Sequence, residues 1–161
     1  MDNLVGEHIK EYAVQSKLGN VAKGYKALMD FLMGLRTHFI NQQDTKFIVG
    51  NFYQGYMDMS YFPLTPKSLK SKKLKIGVVF NHEKMQFEIW LVGQNKQIQK
   101  KFWEQFQSSN WNKYPISKNA HSSIIEYVLV KNPNFNHLDT LTGKIEKGVL
   151  TFQKDIMEVL A

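Results

Sequence analysis

The stretch Leu74-Lys75-Ile76-Gly77-Val78-Val79-Phe80-Asn81-His82-Glu83-Lys84-Met85-Gln86-Phe87-Glu88-Ile89-Trp90-Leu91 decides the class of fold. Leu74, Ile76, Val78 and Phe80 recur at every second position, which puts them on one side of a pleated strand. After the break from Asn81 to Met85, Phe87, Ile89 and Leu91 do the same, and Glu88 and Trp90 take the opposite side. Two such runs joined by about four or five turn residues predict a β-hairpin.

Toward the N-terminus lies an earlier alternating run, Phe52 to Phe62, ended by Pro63 and Pro66. Its odd positions Tyr53, Met57, Met59 and Tyr61 are apolar or aromatic, and its even positions include Gln54, Asp58 and Ser60. It predicts a partly polar strand, the period changing to two from Lys46. Before it, Leu4, Val5, Ile9, Tyr12 and Ala13 share one face of a helix over Asn3 to Ser16. Val21, Tyr25, Leu28, Met29, Leu32, Leu35 and Phe39 form the stripe of a longer helix that ends near Ile40. Gly19-Asn20 separates the two, and an antiparallel helix pair is the simplest arrangement.

Toward the C-terminus, Asn95 is placed to cap a helix that runs to about Gln107 and carries Ile98, Phe102, Trp103 and Phe106. A polar loop leads to a strand over Ser123 to Val130, whose run Tyr127-Val128-Leu129-Val130 predicts cover on both faces. The closing helix begins near Asn136, with Gly143 and Gly148 expected to weaken or kink it. The predicted order is ααβββαβα, a single α/β (α+β) domain over residues 1–161. Its sheet is expected to be four-stranded and mixed: a three-strand antiparallel meander, then a right-handed crossover into the fourth strand.

The length of 161 residues fits one domain, and 43% apolar residues suffice for a core. No apolar run approaches the roughly 18–20 residues of a membrane span, and no leader pattern is read, so a cytoplasmic chain without membrane contact is expected. Cysteine is absent, which excludes disulfides, thiolate metal sites and a cysteine nucleophile. The formal net charge is +7, a surplus that attracts phosphates and other anions. Arg36 is the only arginine, so the surplus is lysine, a skew that an AT-rich genome also produces.

The chemistry-bearing candidates are few. Asp58 in the first strand and Glu88 in the third can approach one another if their polar faces agree. Paired carboxylates hold Mg or Mn, or set apart each other's pKa values for acid–base work. Acidic residues on a solvent-facing strand also serve simply as surface charge. Arg36 can clamp a carboxylate or phosphate, or pair with an acidic residue such as Asp58. The five histidines form no HxH, HxxxH or HExxH pair, so no metal is expected outside a carboxylate site. No GxSxG, GxGxxG or GxxxxGK[ST] occurs, and no cofactor is indicated.

Lys67, Lys70, Lys72, Lys73 and Lys75 are the densest charge in the chain and read either as a nucleic-acid patch or as a solvated loop. Phe52, Tyr53, Tyr56, Tyr61 and Phe62 read either as a stacking surface or as core. Three functional classes follow: a binding domain, a metal-dependent nuclease or phosphoesterase using Asp58 and Glu88, and a homo-oligomer assembled through its aromatic strand surface.

Several segments carry a resemblance. Leu35-Arg36-Thr37-His38-Phe39, Tyr53-Gln54-Gly55-Tyr56-Met57-Asp58-Met59-Ser60-Tyr61-Phe62, Lys73-Leu74-Lys75-Ile76, Phe87-Glu88-Ile89-Trp90-Leu91, Asn95-Lys96-Gln97 and Ile145-Glu146-Lys147-Gly148 together resemble a bacterial and archaeal family catalogued as a domain of unknown function. The resemblance covers nearly the whole chain and implies a free-standing domain with no assigned catalytic residue. An αβββαβ core is also distantly similar to the restriction-endonuclease-like nucleases, whose metal is bound by an Asp on one strand and a Glu-x-Lys on the next. This chain departs from that pattern: Leu74 to Phe80 holds no acidic residue, Trp90 stands where the lysine would be, and Asp58 lies one strand early.

Overall fold

The computed structural model describes residues 4–42 and 47–160, so the expectations that fall on Asn3 and Lys46 lie outside the described residues. Two compact units are distinguished, Met1–Gly34 and Leu35–Ala161.

The first unit holds helix α1 (Val5–Leu18) and the opening turns of helix α2 (Asn20–Asn41). Gly19 alone joins them, at φ 86° in the left-handed region that a Cβ disfavours, and its N–H closes α1 on the Gln15 carbonyl. Antiparallel helices need a loop of about 2–5 residues. The expected helix pair is therefore not formed, and α1 and α2 do not lie side by side. Leu4, Val5, Ile9 and Tyr12, expected on a buried face, are all exposed, and α1 buries no residue.

The second unit is built on the predicted hairpin. Among its described residues β1 (Phe47–Val49), β2 (Met59–Pro66), β3 (Leu74–Asn81), β4 (Gln86–Gly93) and β5 (Ile125–Val130) form one sheet in sequence order. All four pairings are antiparallel. The four-stranded mixed sheet is thus corrected to five antiparallel strands. Strand β1, only three residues long, gives no readable alternation.

The fourth predicted strand, β5, pairs beside β4 without a crossover. Helix α4 (Lys96–Ser108) leads away from the end of β4, and the polar loop after it returns to the same end, where Ile125 pairs with Leu91. A strand that begins where its neighbour finished runs antiparallel to it. Strand β5 is consequently an edge, and Tyr127 and Val128 are exposed rather than covered on both faces.

The first predicted strand is displaced. Residues Phe52 to Asp58 bend back, with Gly55 and Met57 at positive φ, and Tyr53 pairs with Tyr61 across the turn. Strand β2 starts at Met59 and continues through Pro63 instead of ending there. Tyr61 exchanges both backbone bonds with Tyr53, and the Pro63 carbonyl accepts from the Gly50 N–H at 2.8 Å. Odd residues of β2 therefore point their backbone groups away from β3, and the missing proline N–H removes no bond from the β2–β3 ladder.

A short helix α3 (Lys67–Lys70) replaces the expected loop, anchored by buried Leu69. Asn95 caps α4 as expected, accepting from the Ile98 N–H at 2.9 Å. Helix α5 (Leu138–Leu160) runs unbroken past Gly143 and Gly148.

The sheet has one core face. Phe62 and Leu64 on β2, Ile76, Val78 and Phe80 on β3, and Phe87, Ile89 and Leu91 on β4 are fully buried there. Each such side chain contributes about 1.5–3 kcal/mol relative to exposure. Phe39 of α2 meets Phe62 with ring centroids 6.1 Å apart, and α5, packed on β5, buries Leu141, Ile145, Val149, Phe152 and Ile156. The opposite face, carrying Tyr61, Lys75, Gly77 and Trp90, is only partly covered. Among the described residues no helix is long and apolar enough to cross a membrane.

Candidate functional site

The partly covered face of the sheet holds a cleft of about 430 Å³. Register explains why it exists. Gly77 on β3 sits between Pro63 on β2 and Trp90 on β4, so the middle strand offers no side chain where its neighbours offer rings. Val79, one step along, lies beside Tyr61 and completes an apolar floor. Tyr61 and Trp90 stand on strands two spacings, or about 10 Å, apart. The cleft's outer end is polar: Lys75, Lys96, His121, Ser122 and the first residues of α4 line it, and among the described residues no carboxylate does.

Gly93 and Gln99 fix that end. A Cβ on Gly93 would meet the Gln99 backbone nitrogen at 2.5 Å, so only glycine lets α4 start this close to β4. The Gln99 side chain accepts from the Gly93 N–H at 3.1 Å and donates to the Ala120 carbonyl at 2.7 Å, which ties the loop before β5 to the cleft. Lysines and a helix N-terminus both contribute positive charge to the field there.

Glu88 lies on the same face, buried, and does not line the cleft. Its Oε2 accepts from Asn81 Nδ2 at 2.9 Å and Gln86 Nε2 at 2.8 Å, and its Oε1 from the Trp90 indole at 3.0 Å. The carboxylate thereby orients the Trp90 ring. Asp58 precedes β2 rather than lying in its polar register. It accepts from the Tyr56 N–H at 2.9 Å, and that bond, with a second from Met59, holds its carboxyl below the ordinary value. The two carboxylates are committed to separate partners, and among the described residues no three His, Asp or Glu side chains gather as a metal would need. Arg36 donates from Nε to the Gly50 carbonyl at 2.7 Å, pinning the chain where β1 ends.

Ser60, His82 and Asp58 form a cluster that the sequence reading passed over. The single Ser60 hydroxyl hydrogen goes to the Gln54 carbonyl, so toward His82 Nε2, 2.8 Å away, the oxygen accepts. His82 is therefore the donor, and Ser60, fully buried, is not poised as a nucleophile. Burial lowers the His82 pKa from 6.5, against the attraction of Asp58. The imidazole therefore protonates less readily in the fold than in the unfolded chain. Its contribution is present above pH 6.5 and is lost as pH falls below it. His82→Gln, which keeps a donor for Ser60, is expected to flatten the fall in urea midpoint between pH 7 and pH 5. An unchanged slope would assign that fall to other groups.

A family model described as a domain of unknown function, DUF7000, matches residues 5–160. The chain belongs to the DUF7000 family. No curated protein and no solved structure matches it at a significant level.

In this DUF7000 domain the predicted lysines divide. Lys70, Lys73 and Lys75 line a second depression of about 270 Å³, whereas Lys67 and Lys72 do not. Lys96, His121 and Ser122 escaped the sequence reading, because they come from a helix start and a loop that only the folded chain brings to β3. One signal was present: Gly77 falls opposite Trp90 once the hairpin register is drawn, a gap beside a ring.

Proposed function

We propose that this domain is a binding module whose cleft takes a flat ring bearing an anionic group. The observation that carries the reading is the lining itself: Tyr61, Gly77, Val79 and Trp90 at one end, Lys75 and Lys96 at the other, with no carboxylate between them among the described residues. A volume of about 430 Å³ falls within the range of small-ligand sites, roughly 300–1,000 Å³. A ring over Gly77 is flanked by Tyr61 and Trp90, and its anion meets two lysines. Glu88, held by Asn81 and Gln86, accepts from the Trp90 indole and keeps that ring from turning into the space.

The test uses nucleoside 5′-monophosphates as probes, followed by calorimetry and tryptophan fluorescence. Gly77→Leu is the informative variant. A Cβ at Gly77 meets Val79 at 3.6 Å and Trp90 at 3.9 Å, ordinary contacts, so the side chain fills the cleft without straining the strand. Binding is expected to vanish in Gly77→Leu and to weaken about 5- to 100-fold in Trp90→Ala, as loss of one stacking partner implies. Monophosphate binding that survives Gly77→Leu unchanged would overturn the cleft as the site.

A further inference from the structure

We infer that the ligand is single-stranded nucleic acid, one base seated in the cleft and the sugar-phosphate backbone continuing across the neighbouring depression. This rests on the cleft reading and extends it to a partner longer than one nucleotide. The two hollows are not independent: Lys75 lines both. Gln94, in the second lining, donates its N–H to the Lys73 carbonyl at 2.9 Å and is followed directly by Asn95 and Lys96 of the first. Lys70, Lys73, Lys75 and Lys96 thus mark one path along the end of the sheet.

The charge on that path exceeds what a small anion uses. Among the described residues none of these four lysines has a carboxylate within 4 Å, whereas Lys10, Lys26, Lys100 and Lys113 all do. Among the described residues no acidic side chain lines either hollow. Lys75 and Lys96 suffice for one phosphate, and Lys70 and Lys73 then face the next ones along a chain. Among the described residues the second hollow offers Ile48, Thr65 and Leu74 beside the lysines and no aromatic ring, so it suits a backbone better than a base. A ring surface on an antiparallel sheet beside a basic groove is the combination that holds unpaired bases, whose faces are open to stacking. A duplex hides those faces and offers the cleft nothing to seat.

The experiment is fluorescence anisotropy with end-labelled oligothymidylate and oligouridylate of 4, 8 and 12 nucleotides at several salt concentrations. The corresponding monophosphates and a labelled duplex run beside them. Oligomers are expected to bind at least tenfold more tightly than monophosphates and more tightly than the duplex. In Lys70→Ala with Lys73→Ala, oligomer affinity should fall about tenfold or more. The slope of log K against log salt should shrink by roughly 1.4, two phosphate contacts on a single strand. Monophosphate affinity should stay as it was. Oligomers no tighter than monophosphates, equal binding of the duplex, or a salt slope unmoved by the double variant would each overturn the inference. In those cases monophosphate binding that Gly77→Leu abolishes leaves the cleft reading standing. Binding of neither probe removes both.

Discussion

Glu88→Ala is expected to lower the unfolding free energy by about 3 kcal/mol, because three donors lose their acceptor together. Asn81 and Gln86 are buried and share one carboxylate oxygen, and the Trp90 indole takes the other. A buried donor without a partner costs roughly 1–3 kcal/mol. Trp90 is only half-buried and recovers part of its loss from water, which keeps the total near the lower sum. Glu88→Gln separates shape from charge. It fills the same space but sets an NH₂ group against amide donors, so a loss of about 1–2 kcal/mol is expected. Urea unfolding measures both, with unchanged m-values showing that only the native state was altered. A Glu88→Gln protein as stable as the parent would show that the second carboxylate oxygen holds nothing. The same substitutions release Trp90, so weaker ligand binding should follow the order of destabilisation.

The hairpin was legible because its information is local. Leu74 to Phe80 and Phe87 to Leu91 each declare a buried face by alternation, and the turn between them is short enough for the register to follow. Helices α2 and α4 were legible in the same way, from stripes such as Leu32, Leu35 and Phe39 or Ile98, Phe102 and Phe106. What was misread depends on direction rather than period. Residues Tyr53 and Tyr61 share one parity, yet they belong to two arms of a turn and face each other across it. Pro63 reads as a terminator, and it is tolerated because its absent N–H points to the side where β1 has already ended. The direction of β5 is set by where a polar loop returns, which no periodicity records.

The site was legible in pieces. Trp90 and Lys75 stood out by type, but their joint use depends on Gly77 between them and on α4 starting at Gly93. Asp58 and Glu88 drew notice as a carboxylate pair, and the fold gives each a separate set of donors. A pair of acids in sequence says nothing about the neutral amides that surround them. Lys67 and Lys72 carry the same charge as Lys70, Lys73 and Lys75, and only the folding of α3 and the turn after it separates those that line the second hollow from those that do not.

Asp155→Ala is expected to cost about 2–3 kcal/mol at the other side of the unit. Asp155 interrupts the buried stripe of α5 and is only 5% exposed. It accepts from the Tyr114 hydroxyl and, at 2.7 Å, from Lys113, and so fastens the loop between α4 and β5 to the helix. Tyr114 is itself buried, its ring 5.0 Å from Phe152 and 4.7 Å from Tyr127, so its hydroxyl has no ready substitute partner. Leaving that group unsatisfied accounts for most of the loss, since Lys113 is half exposed and rehydrates.

The pH dependence of this cluster has a sign on each side. Lys113 first, then Tyr114, hold the Asp155 carboxyl below its ordinary 3.8. The unfolded chain therefore binds the proton more readily there, and the contribution present above pH 3.8 is lost as pH falls further. Burial first, then the bond to Asp155, push the Tyr114 phenol above its ordinary 10.0. Its contribution is full below pH 10 and is lost as pH rises past it. Asp155→Asn should flatten the acid limb of a stability–pH curve and Tyr114→Phe the alkaline limb, each measured as a urea midpoint. If Tyr114→Phe leaves the alkaline limb as steep as before, the phenol is not the group that titrates there, and the buried bond to Asp155 loses its support as the fastening of the loop.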